Sequence, residues 1–182
     1  NVRVLNVGVG KKEEVLELND IDYSKVGNFG GVSFKYESSS FTKNIKDKKY
    51  KVKITYLDKL IEIKKCNFVK IDVELMELNV LTGGINFLKK FRPILWIENH
   101  QKYPNKINKF LLKNDYNPYW VYSKAFNESN YFLNDNNYYG ELSTLNTLAI
   151  PKEDYRFSMD KKFDKIIDSY TKPITLLGKQ IK

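Results

Sequence analysis

The chain has 182 residues, 42% of them hydrophobic and 14% aromatic, with a formal net charge of +9. That composition supports one folded domain with its own core and excludes a disordered chain, and no apolar run approaches the ~20 residues of a membrane-spanning helix. The single cysteine, Cys66, excludes an internal disulfide framework and a cysteine-based zinc site, so a reducing, cytoplasmic compartment is expected.

The first residues, Asn1-Val2-Arg3-Val4-Leu5, lack the basic start and long apolar core of a signal peptide. They also lack an initiator Met, and the chain is expected to be part of something longer or a trimmed product. The basic charge is carried by Lys, since Arg occurs only at positions 3, 92 and 156. Nucleic-acid readers favour Arg for phosphates and base edges, so a dedicated nucleic-acid role is not expected.

Val2 to Val9 reads as a strand ending at Gly8-Val9-Gly10. Val15 to Leu18 is a second short run that could pair nearby. Asn28, Gly30, Gly31 and Ser33 form a loop whose paired glycines suit either a flexible connection or close approach of a ligand. A short strand, Val32 to Tyr36, follows. After a polar stretch, Tyr50 to Tyr56 alternates apolar and polar residues, as a half-exposed strand near a sheet edge would. Asp58 is placed to cap a short helix carrying Leu60 and Ile63.

Phe68 to Val73 is a short apolar run rich in β-branched residues and reads as a buried strand. Helical spacing then takes over at Leu78, Leu81, Ile85 and Leu88. Between the two sit Asp72 and Glu74. Ligands of open α/β sheets bind beyond the carboxyl ends of strands, which makes these acids the strongest chemical signal in the chain. The competing reading for Glu74 and Glu77 is negative charge stabilising a helix N-terminus. Arg92-Pro93 leads into Ile94 to Ile97, a second apolar strand that exits at Glu98, Asn99 and His100. Two such strands separated by helices imply parallel βαβ organisation, with right-handed crossovers putting both exits on one sheet edge. Pro104 suits a helix first turn, with Ile107, Phe110 and Leu111 as its buried stripe.

Beyond Tyr119 the sequence is aromatic and loop-like, with an Asn-rich stretch from Asn127 to Tyr139. Thr147 to Ile150 is a last short strand stopped by Pro151. Phe163, Ile166, Ile167 and Tyr170 have the spacing of an amphipathic helix. The expected organisation is a domain over residues 1–152, followed by a C-terminal amphipathic helix and tail over 153–182.

The ordered series Asn28-Gly30-Gly31-Ser33, Leu57-Asp58, Val69-Lys70-Ile71-Asp72-Val73-Glu74, Met76 to Leu81, Arg92-Pro93-Ile94-Leu95, Glu98-Asn99-His100, Tyr119-Trp120 and Asn146 to Pro151 resembles the FkbM family of S-adenosylmethionine-dependent methyltransferases. The resemblance covers residues 2 to about 152. It implies an α/β fold, a partial Rossmann-like class I methyltransferase with parallel central strands and an antiparallel edge. The first two βα units, which carry the Gly-rich cofactor turn, are missing from the pattern. Val2 to Val9 then corresponds to the third strand of the sheet, and the fourth, Phe68 to Val73, is expected to show an unpaired apolar edge through which copies self-associate. A second departure is Leu75, where the family usually has Gly.

The activity implied is methylation of a hydroxyl on a small molecule or sugar. His100, the only histidine, suits a general base. Asp72 would contact cofactor or acceptor, and Glu74 the acceptor. Glu98, Asn99 and the loop residues Asn28, Gly30, Gly31 and Ser33 would line the acceptor site. The acids lack a defined metal-ligand spacing, and no metal is assigned. Two other readings stand beside the enzyme: a non-catalytic binding module that keeps the fold, and a basic nucleic-acid-binding domain.

Overall fold

The structure, a computed structural model, describes residues 1–24, 45–60, 63–99, 105–156 and 163–173. The chain divides into two compact units, Asn1–Asn67 with Ile71–Arg92, and Phe68–Lys70 with Pro93–Lys182.

The first unit contains a three-stranded sheet in the order β1-β3-β2, with β1 at Gly8–Gly10, β2 at Glu14–Ile21 and β3 at Ile45–Tyr56. β1 runs parallel to β3 and β2 antiparallel to it. The alternation of Tyr50 to Tyr56 is therefore that of a central strand, not of one near an edge. Its inward side is anchored at Ile54, which is buried, with Val52 and Tyr56 half-buried. Of the expected first strand only Gly8–Gly10 is strand; residues 1–7 are outside regular structure, and all are exposed. The helical spacing after Glu74 forms two short helices, α1 (Glu77–Gly83) and α2 (Ile85–Phe91). They break at Gly84, and Met76, Val80, Leu81, Phe87 and Leu88 go into the core. Glycine is required at 83 by packing: a Cβ there would run into the carbonyl oxygen of Gly10 and approach Tyr56.

The second unit is built on a five-stranded sheet in the order β4-β5-β7-β6-β8. These strands are β4 (Phe68–Ile71), β5 (Ile94–Glu98), β6 (Tyr116–Lys124), β7 (Ser143–Pro151) and β8 (Asp164–Lys165). The β5–β7, β7–β6 and β6–β8 pairs are all antiparallel. Antiparallel pairing therefore extends well beyond an edge. The coarse expectation of mixed α/β structure with parallel and antiparallel strands holds. Among the described residues β4 is the terminal strand of its sheet, and Phe68 on it is exposed.

α3 (Lys106–Lys113) packs on β6 and buries Leu111, while Ile107 and Phe110 are half-buried. The stretch read as aromatic loop from Tyr119 to Tyr122 is strand. Tyr119, Trp120 and Val121 are core residues, so their apolar bulk is explained by burial in the sheet.

No helix forms over Phe163 to Tyr170 among the described residues. Asp164 and Lys165 pair with Trp120 and Tyr119, and the Ile166 N–H donates to the Pro118 carbonyl at 2.9 Å. Ile166 is buried but Ile167 and Tyr170 are exposed, so the three-four spacing marks no common face. A sheet edge offering free carbonyls captures this segment in place of a helix.

Candidate functional site

Asp72 directly follows the last residue of β4, and the chain then turns through Glu74 (φ 47°) and Leu75 (φ 73°), both left-handed, before α1 begins. Leu75 thus follows the backbone path that glycine takes without strain. Glu77 holds this turn in place. From the first turn of α1, its buried carboxylate accepts a hydrogen bond from the Leu75 N–H at 3.1 Å. Carboxylate oxygens of Asp72 and Glu74 lie within 4.8 Å of each other, Asp72 exposed and Glu74 half-buried. Two carboxylates so placed can accept hydrogen bonds from a hydroxyl or take up its proton.

Asp58 is a cap, but of a different helix from the one its sequence neighbours suggest. It sits in a short 3₁₀ turn, Leu57–Lys59, and its carboxylate accepts from the N–H groups of Asn86 (3.1 Å) and Phe87 (2.7 Å), in the first turn of α2. Acceptors at this position satisfy helix donors that have no partner within the helix.

In the second unit, Glu98 ends β5 beside Asn146 of β7, and Asn99 follows with its N–H donating to the Leu145 carbonyl at 3.1 Å. The Asn99 side chain is buried in a polar network. Its Nδ2 donates to Asn108 Oδ1 (2.9 Å) and Thr147 Oγ1 (2.7 Å), and its Oδ1 accepts from Asn105 Nδ2 (2.8 Å). Asn105 caps α3, its Oδ1 accepting from the Asn108 N–H at 3.0 Å. That bond fixes every amide in turn. Asn105 must present its nitrogen to Asn99, and Asn99 must present its own to Asn108 and Thr147. Asn105, Asn108 and Thr147 are all at most 2% exposed. The sequence carried a signal for one of them only, an Asn immediately before an apolar-periodic helix.

His100 and the loop residues Asn28, Gly30, Gly31 and Ser33 lie outside the described residues. The described glycines are not arranged as an open cradle for a cofactor. Those at 8 and 10 face Ile54, those at 83 and 84 face Gly10, Tyr56 and Leu57, and Gly140 is an isolated turn residue. No helix is long and apolar enough to cross a membrane among the described residues.

Comparison with curated proteins and with solved structures gave no match. The family model of the methyltransferase FkbM domain matches residues 1–118. That span includes β4 with its left-handed turn, α1, α2, β5 and the Asn99 network as far as α3, and the chain belongs to the FkbM methyltransferase domain family.

Proposed function

We propose that this chain carries the acceptor side of an S-adenosylmethionine-dependent O-methyltransferase, built on a Rossmann-like class I arrangement, whose acceptor is a hydroxyl of a small molecule or sugar. The observation that carries the reading is the pair Asp72 and Glu74, gathered by a left-handed turn immediately after β4, within the family-matched stretch. Glu98, Asn99 and His100, which follow Ile97 in the sequence, enter the reading through the family resemblance. In this reading His100 takes the hydroxyl proton, its reference pKa of ~6.5 suiting that task. Asp72 and Glu74 orient the hydroxyl, and Glu98 contributes a further acceptor. S-adenosylmethionine, when bound, supplies an electrophilic methyl group. The glycines described here do not fit its cradle, and no step is drawn through it.

The same glycine packing favours a second reading, a binding module that keeps the fold without the reaction. Transfer of labelled methyl from S-adenosylmethionine to a panel of sugar and small-molecule hydroxyls, by the complete product of the gene, separates the two. Product formation is expected. Tight acceptor binding without methyl transfer would establish the module instead.

A further inference from the structure

The loop joining β6 to β7, residues 125–142, presents apolar side chains that stay exposed among the described residues. Tyr131, Phe132, Leu133 and Tyr138 are each at least 80% exposed, and Tyr139 and Leu142 are also exposed. Tyr131 and Phe132 stand edge to face with ring centroids 5.2 Å apart. The display rests on a backbone closed by its own asparagines. Asn127 Oδ1 accepts from the Ser129 N–H, Asn130 Oδ1 from the Asn134 N–H, Asn134 Oδ1 from the Asn136 N–H and Asn137 Oδ1 from the Tyr139 N–H, each at 3.0 Å. The Ala125 N–H donates to the Leu142 carbonyl at 2.9 Å across the neck. Three of these bonds are Asx turns, and together the four hold the loop in shape without burying apolar side chains.

These bonds also decide what the loop can recognise. The amides of Asn127, Asn130 and Asn137 are engaged at both ends and are taken up by the loop itself. Beside these it offers aromatic rings, tyrosine hydroxyls, the Asn136 amide and the carboxylates of Glu128, Asp135 and Glu141, all three acids exposed. Residues 125–142 contain no Lys or Arg, although the chain as a whole is +9. An acidic, aromatic surface repels nucleic acid and anionic membranes, and it attracts guanidinium and ammonium groups by ion pairing and cation–π contact. The loop also lies beyond residue 118, where the family match ends.

We propose that this loop is a docking surface for an arginine- or lysine-rich segment of another protein. The test is calorimetric titration of a deca-arginine peptide into the whole chain near 0.15 M salt, with deca-glutamate as control and amide spectra mapping the contact. Deca-arginine is expected to bind and to shift the resonances of residues 127–141, against the repulsion that the net charge imposes. Joint replacement of Tyr131, Phe132 and Tyr138 by Ser, with the acids intact, is expected to weaken binding at least tenfold. Replacement of Glu128, Asp135 and Glu141 by the corresponding amides is expected to do the same. Amide spectra unchanged outside the loop verify that each variant is folded. Absence of deca-arginine binding, or binding indifferent to the aromatic replacements, would overturn the proposal. So would concentration-dependent dimerisation in sedimentation that the Ser replacements abolish, because the loop's occupant would then be a second copy of this chain.

Discussion

Leu75 sits at φ 73° between an acid pair and a helix, and its conformation favours a residue with no Cβ. A left-handed conformation costs an ordinary L-residue about 1–2 kcal/mol, and a β-branched side chain fits it worst. Leu75→Gly is expected to be at least as stable as the parent to urea, the relief of strain offsetting a lost half-buried side chain. Leu75→Val should lose about 1–2 kcal/mol on the same scale. At the other end of the chain, Asp168 accepts hydrogen bonds from the Tyr170 N–H and the Thr171 hydroxyl, and these hold its pKa below the usual carboxylate range. A depressed carboxylate contributes stability above its unfolded pKa of ~3.9 and loses it as pH falls through the folded value. Thr171 in turn accepts the Trp120 indole N–H at 3.0 Å. Acidification below about pH 4 should therefore loosen this turn, and the Trp120 indole proton resonance reads it directly.

Single polar residues tie elements together across long stretches of sequence. Asp58 joins the end of β3 to the start of α2 through two N–H groups. Asp58→Ala should cost about 0.5–2 kcal/mol in denaturation, with Asp58→Asn retaining part of the loss. Asn99 joins β5, α3 and β7. Its truncation to Ala removes the donor to the buried Asn108 and Thr147 oxygens and one acceptor of Asn105 Nδ2, and should cost about 3 kcal/mol, more than an exposed Asn. The strands with clean patterns, Tyr50 to Tyr56 and Ile94 to Ile97, were legible from alternation or unbroken apolarity. So was the helical spacing after Glu74, although not its break at Gly84, which depends on packing against Leu57. The β6 strand was hidden because a strand buried on both faces loses alternation and its Pro118 resembles a stop signal. The short β8 was misread because pairing with a neighbouring strand, a non-local event, overrode local spacing. The polar network of Asn99 is invisible to periodicity altogether, since buried amides follow no apolar pattern.

At the scale of the whole molecule, the family-matched residues 1–118 carry elements of both units, while the aromatic loop lies outside that match. Asp72 and Glu74 were legible as acids at a strand exit, and the turn that gathers them was foreshadowed by Leu75 standing where the family has Gly. Net charge, by contrast, said little about chemistry. Its Lys residues leave several stretches without a cation, and the acidic, aromatic loop 125–142 is one that stands against the average. The most direct measurement of the central claim is the methyl-transfer rate of the complete gene product carrying Asp72→Asn, which keeps the size of the side chain but not its charge. The account predicts a fall of at least about 100-fold in kcat with the thermal midpoint unchanged. A rate equal to the parent's would contradict it and remove Asp72 from the reaction.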